Sequence, residues 1–210
     1  MSAKVLELSD HEKLFGFLSG KNDSVKGISN TEATHLSWLG ANCPASGVVV
    51  EVGSHRGKSI SCIGCGIRHA GKSQKMYCVD LWKTGRGITK KNYHTHRTWL
   101  LFHQQTKEAG IHGDIVPVKM ASHHAAANFA AKPEPVALLF IDAMHDYKNV
   151  AADYLCWHRF VMTGGYIAFH DYSAQFPGVR RLINQTLIPS GLWEDFATVG
   201  TIWSAKRSAL

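Results

Sequence analysis

The chain has 210 residues, 45% of them apolar and 19% charged, and a formal net charge of +7. That length fits one α/β domain with a large core, and no apolar run reaches the ~18–20 residues of a membrane span. The opening stretch, Met-Ser-Ala-Lys-Val-Leu-Glu, lacks the apolar core of a signal peptide, so a cytoplasmic location is expected.

The positive charge is dispersed. Its densest patch is Lys83, Arg86, Lys90 and Lys91, with Arg97 beyond. A solvated loop explains that patch, and charge alone does not indicate nucleic acid as a partner. The five cysteines are Cys43, Cys62, Cys65, Cys78 and Cys156, an odd number that argues for free thiols. Cys62 and Cys65 fall inside an expected helix, and no second Cys/His pair follows at zinc-finger spacing. They read as small residues packing that helix on a sheet.

In chain order, Ser9-Asp10-His11-Glu12 predicts a capping box opening a short helix with Leu14, Phe15 and Leu18 on one face and Gly20 at its end. Ser29-Asn30-Thr31-Glu32 is a second capping box. Its helix carries Ala33, Leu36 and Leu39 and stops before Pro44. Residues 1–44 are thus an N-terminal helical segment that covers a ligand, lines a pocket or forms a homodimer contact. Residues 45–210 are the expected main domain.

Val48 to Val52 is a β-branched run that predicts a buried parallel strand, with Glu51 inside it. Gly53 and Gly57 frame a tight turn, and a helix follows from Lys58. Strand, glycine turn and helix let a nucleotide-like ligand meet backbone N–H groups at a helix N-terminus. Lys75 to Asp80 is a second strand. An acid at its tip either accepts the hydrogen bonds of a ribose diol or caps a turn. Trp82 is placed to pack on an adenine or a substrate. Residues 83–92 read as a basic loop, Tyr93 to Ala109 as a helix, and Ile115 to Met120 as a third strand. Ser122 sits past the end of that strand, and His123 and His124 open an alanine-rich helix.

Val136 to Ile141 predicts a fourth, strongly apolar strand, followed by Asp142, His145 and Tyr147. A helix is expected over 147–161. After Gly164-Gly165, Tyr166 to Phe169 predicts a fifth strand that closes on His170-Asp171-Tyr172. Two adjacent parallel strands would bring Asp142, His145, His170 and Asp171 to one rim, where ligands bind in open α/β sheets. So many ionisable groups at one edge of an apolar scaffold are hard to explain by stability alone. A helix from Pro177 and two closing strands, Trp193 to Ala197 and Gly200 to Ala205, complete the chain.

The spacing Glu51-x-Gly53-x-x-x-Gly57 resembles motif I of the class I S-adenosylmethionine-dependent methyltransferases. With Ile141-Asp142-x-x-His145-x-Tyr147, Gly164-Gly165 and His170-Asp171-Tyr172, residues 29–206 resemble the small O-methyltransferases of that class. Catechol-type enzymes and the bacterial sugar and antibiotic O-methyltransferases are the nearest groups. The resemblance implies an α/β fold: a doubly wound, Rossmann-like sheet of seven strands, the last antiparallel, with helices on both faces. It implies that Glu51, Gly53, Ser54, Gly57 and Ser59 hold the methionine part of S-adenosylmethionine, Asp80 the ribose and Ser122 the adenine, with Asp142 beside the cofactor.

The same resemblance makes Asp142 and Asp171 ligands of a divalent cation, Mg²⁺ or Mn²⁺, and His145 a general base. His170 stands where an acidic residue is often found, and it joins the expected ligand set. The implied reaction is methyl transfer to a small hydroxylated acceptor, a sugar or a secondary metabolite. An amine or RNA acceptor, or a non-catalytic S-adenosylmethionine-binding module, are the alternatives. A nicotinamide oxidoreductase is disfavoured by the glycine spacing.

Overall fold

The computed structural model describes residues 27–82 and 90–209. The expected capping box and helix at 9–20, and most of the expected basic loop at 83–92, lie outside them.

Seven strands form one sheet: β1 (Val48–Val52), β2 (Met76–Asp80), β3 (Ile115–Lys119), β4 (Val136–Ile141), β5 (Val161–Phe169), β6 (Trp193–Val199) and β7 (Ile202–Arg207), in the order β3-β2-β1-β4-β5-β7-β6. β1 and β4 are buried along their whole length, as β-branched and aliphatic runs covered on both faces should be. β7 runs antiparallel to both β5 and β6, so the last strand alone reverses, as expected. The strand order turns back between β1 and β4, and this opens a crevice at their C-terminal ends.

The pleat sends alternate residues to opposite faces. Val49, Leu138 and Phe140 pack with Leu36, Leu39, Ile60, Ile63 and Phe102, which come from α1 (Asn30–Asn42), α2 (Lys58–His69) and α3 (Lys90–Glu108). Val50, Val52, Leu139 and Ile141 pack with Phe129, Val150, Trp157 and Leu182 of α4 (Ser122–Ala131), α5 (Tyr147–Trp157) and α6 (Pro177–Leu182). Helices therefore cover both faces. None of the described helices is long and apolar enough to cross a membrane.

One expected boundary moves. The helix over 147–161 ends at Trp157, a 3₁₀ turn covers His158–Phe160, and β5 starts at Val161 instead of Tyr166. Val136 pairs with Val161 but Leu138 pairs with Tyr166, so β5 bulges between them. Gly164, at φ +76°, takes the left-handed turn that the bulge requires. The glycine pair thus lies within the strand and does not precede it.

The capping box at Ser29 forms as expected. The Ser29 side chain caps the Glu32 amide, and the Ser29 N–H donates to Glu32 Oε2 at 2.8 Å. The other oxygen of Glu32, Oε1, accepts from the Thr201 amide and hydroxyl, both at 2.7 Å. One buried carboxylate therefore ties the start of α1 to the β6–β7 turn. Glu32 is held at a pKa of about 2. Burial opposes its ionisation, but the donors from Ser29 and Thr201 override it.

α1 also touches α2 backbone to backbone. A Cβ on Gly66 would lie 1.9 Å from the Ser37 carbonyl oxygen, and one on Gly40 would lie 2.2 Å from that of Ile63. Neither partner is a flexible side chain, so the helices would have to separate. Gly66→Ala is expected to lower unfolding free energy by about 2–3 kcal/mol in denaturant titration. An unchanged midpoint would mean that α1 is not clamped at this contact.

Candidate functional site

A cavity of about 890 Å³ opens at the C-terminal ends of β1, β2 and β4. Gly53, Asp80, Ser122, Asp142, His170 and Asp171 line it, each an expected site residue. Gly53 has φ +97°, and a Cβ there would lie 2.3 Å from the Asp142 carbonyl oxygen. Glycine is required on both counts, and its absence of side chain keeps the cavity floor open.

Beneath the loop, Glu51, Ser54 and Ser59 are buried and do not line the cavity. The pleat turns Glu51 towards α2, where Ser59 Oγ donates to its Oε1 at 2.5 Å. Among the described residues, Glu51 Oε2 and Ser54 Oγ have no hydrogen-bond partner, so this buried floor keeps spare polar capacity under the glycine turn. Burial pushes the Glu51 carboxyl up to about 7, against the polar pull of the nearby Ser54 and Ser59 hydroxyls. Gly57, at φ +80°, begins α2 in the left-handed conformation.

Asp80 accepts from the His55 amide and from the Trp82 amide, both at 2.9 Å. It therefore braces the glycine loop while facing the cavity. Ser122 is the first residue of α4, and its hydroxyl accepts from Trp157 Nε1 at 3.0 Å. Beside it stands Asp153, a buried cavity-lining acid whose carboxyl burial pushes up.

The rim carries a tight cluster. His170 Nδ1 lies 3.3 Å from Asp142 Oδ1 and 3.5 Å from Asp171 Oδ2. His145 Nε2 lies 2.7 Å from Asp171 Oδ2 and 3.6 Å from Asp142 Oδ1. One donor atom each from Asp142, His170 and Asp171 falls within 4.8 Å of the others. Asp171 holds a left-handed backbone at φ +60°, an unusual conformation concentrated at functional sites. Burial disfavours charge on both His170 and Asp142, yet the mutual pull wins. Asp142 and Asp171 raise His170 to about 10, and His145 with His170 holds Asp142 below the usual carboxylate range. Asp142 and then Asp171 raise His145 as well. His145 also lines a second cavity of about 480 Å³, with Tyr147, Phe176 and Arg181, and Phe176 borders both cavities.

A family model described as a methyltransferase domain matches residues 50–172, which span both halves of this site. The chain belongs to that methyltransferase family. No curated protein sequence matches the chain. Among solved structures, the O-methyltransferase TomG of Streptomyces achromogenes, in complex with S-adenosylmethionine, superposes with a TM-score of 0.66. Its identity is 12%, and the match covers 98% of this chain and 92% of TomG. An O-methyltransferase from Bacillus cereus in complex with SAH gives 0.64 at 15% identity, over 97% and 93%. CalS11, a TDP-rhamnose 3′-O-methyltransferase, gives 0.59 at 14%, over 94% and 93%. At such identities the likeness is one of fold.

In this methyltransferase five expected cofactor residues do not line the cavity: Glu51, Ser54, Gly57 and Ser59 lie at or beneath the glycine turn, and Trp82 lies in the core. Trp82 was expected to pack on adenine or substrate, but it is buried in the core and does not line the cavity. Its ring packs on Trp99 and Phe102, at centroid distances of 4.9 and 4.6 Å, and its Nε1 donates to the His55 carbonyl at 2.8 Å. An indole that size gains more from burial than from an open wall. Asp153 and Glu32 are the residues that sequence reasoning passed over. Asp153 lies mid-helix with no motif around it, and the local pattern at Glu32 is that of a helix cap alone.

The cysteine pair behaves as packing. Burial pushes Cys62 up to about 12 and also raises Cys65, the opposite of what a reactive or metal-binding thiol needs.

The pKa of Glu51 sets a pH test. A carboxyl raised from 4.5 to about 7 on folding stabilises the fold fully below pH 4.5 and loses that contribution as pH rises through 7. Glu51→Gln removes this dependence. Without ligand, the variant is expected to outlast the wild type by a margin that grows from pH 4.5 to 7 and levels at about 3–4 kcal/mol. Parallel stability curves in urea would contradict the assignment.

Proposed function

We propose that this protein transfers the methyl group of S-adenosylmethionine to a hydroxyl oxygen of a small acceptor, a sugar or a secondary metabolite. In this reading Asp142, His170 and Asp171 hold a divalent cation and His145 is the base. The observation that carries it is the placement of those four side chains where the two cavities meet. Asp142 belongs to the cofactor cavity and to the donor cluster, while His145 faces the second cavity.

The residues fit S-adenosylmethionine. The Gly53 turn leaves room for its methionine end over a floor with unused polar atoms. Asp80 offers carboxylate oxygens to the ribose, and Ser122 and Asp153 flank the adenine end. The donor set also fits a cation. Two carboxylates suit Mg²⁺ or Mn²⁺, and the imidazole tilts the preference towards Mn²⁺. A bound cation would lower the pKa of an acceptor hydroxyl and hold it in place.

Methyl transfer is an in-line displacement. The acceptor oxygen forms a bond to the methyl carbon, the carbon–sulfur bond breaks, and the sulfonium becomes a neutral thioether. The hydroxyl proton goes to His145. Most of the rate then comes from alignment, which the rigid strand ends supply. The acceptor would lie in the second cavity, against Phe176 and Tyr147, with Arg181 stacked 4.3 Å over the Tyr147 ring. The sugar acceptor of CalS11 and the tomaymycin pathway of TomG support an acceptor of this kind.

Labelled methyl transfer from S-adenosylmethionine to a panel of catechols and sugars tests the reading. Turnover should disappear with a chelator and return with Mn²⁺. His145→Ala should reduce kcat by roughly 10²–10⁴-fold. Asp142→Asn should weaken metal binding by roughly 10–100-fold or more. Chelator-resistant turnover would remove the cation from the account, and full turnover by His145→Ala would remove the base.

A further inference from the structure

Glu32 lies outside the donor cluster, on a helix that precedes the family-matched region. Its carboxylate is buried at 5% exposure, and its Oε1 faces His170 Nε2 at 3.7 Å. His170 is itself 7% exposed, and its Nε2 has no hydrogen-bond partner among the described residues. The other ring nitrogen, Nδ1, points at Asp142 and Asp171. The imidazole is thus sandwiched between the donor cluster on one side and a single carboxylate on the other.

We infer that Glu32 is a positioning residue for the metal site: it orients His170 through Nε2 so that Nδ1 serves as a ligand. The inference rests on the cation reading above and deepens it. A histidine that ligates through Nδ1 must leave that nitrogen unprotonated, so its remaining proton sits on Nε2. Nε2 is buried, and the carboxylate facing it is Glu32. Metal-bound histidines take such an outer carboxylate as a rule, because it fixes the tautomer and makes the ligand more basic.

The placement of Glu32 is over-determined. Its Oε2 accepts from the Ser29 amide and hydroxyl, its Oε1 from the Thr201 amide and hydroxyl. Gly200, at φ +60°, comes so close that a Cβ would lie 2.7 Å from Glu32 Cγ and Oε1. A carboxylate gripped from both sides holds one position, and a ligand-orienting group must do so. The N-terminal helix is thereby part of the metal site.

Mn²⁺ alone is the probe, added to the full chain with and without S-adenosylmethionine. Affinity is read by electron paramagnetic resonance, and imidazole ligation by the nitrogen coupling in its pulsed form. Wild type should bind Mn²⁺ with a nitrogen coupling. Glu32→Gln, measured well below its melting temperature, should bind roughly 10–100-fold more weakly with the coupling reduced. Ser29→Ala breaks the same helix cap but leaves Glu32 Oε1, the oxygen facing His170, with both Thr201 donors, and Oε2 with the backbone amide of residue 29. It should lose stability yet keep its Mn²⁺ affinity within about twofold, well short of the outer-carboxylate effect. Gly200→Ala keeps the carboxylate but pushes it aside, and should copy Glu32→Gln if that variant does not fold.

Equal affinity and coupling in Glu32→Gln, or in Gly200→Ala, would overturn the inference and leave the cation reading intact. So would a wild-type Mn²⁺ signal without nitrogen coupling, or a loss in Ser29→Ala as large as in Glu32→Gln. No Mn²⁺ binding by the wild type would overturn the cation reading and this inference together.

Discussion

The parallel ladder through β2, β1, β4 and β5 continues one bond beyond the strands, and the site depends on that continuation. The Gly53 amide donates to the Val79 carbonyl at 2.8 Å, the Asp142 amide to Val52 at 2.8 Å, and the His170 amide to Ile141 at 3.2 Å. Each bond fixes the first residue past a strand end. Register alone therefore sets the spacing between the glycine turn, the first acid and the histidine. A bulkier residue at position 53 would collide with the Asp142 backbone and push the two halves of the site apart. Rigid strand ends are the places where side chains can be held closely enough for chemistry, and the loops beyond them supply the variation.

On that frame the chain concentrates charge that folding does not need. Asp142, His145, His170, Asp171 and Glu32 lie within one contiguous set of contacts, and His170 and Glu32 are deeply buried there. Burying ionisable groups costs free energy that pairing recovers only in part. Both faces of the sheet carry full hydrophobic cores that could stabilise the fold without them. The cation site proposed above gives this cluster a use. Burial opposes charge on His170 and on Asp142, yet Asp142 and Asp171 raise the one while His145 and His170 lower the other.

Most of this was legible in the sequence because two periodicities and a few glycines carry it. The apolar runs at 48–52 and 136–141 could only be doubly covered strands, and residues just past such strands face the ligand crevice. That logic puts Gly53, Asp80, Asp142, His170 and Asp171 at the crevice, and they line its cavity. It misjudged Trp82, because position past a strand says nothing about which way a large ring turns, and here the core claimed it. The start of β5 was misplaced because a glycine pair inside a bulge reads like a turn before a strand. Glu32 was legible as a helix cap. Its approach to His170 depends on the distant β6–β7 turn closing over α1, a contact between residues 169 positions apart in the chain that no local pattern reports.

The measurement that bears most directly on the account is a calorimetric titration of the full chain with S-adenosylmethionine, in Mn²⁺ and after chelation. The account predicts micromolar binding, with a heat or affinity that changes when the cation is removed, because Asp142 belongs both to the cofactor cavity and to the donor cluster. Absence of binding under both conditions would contradict it. The glycine turn and its buried acid would then serve some other ligand, and the charged rim would need a different explanation.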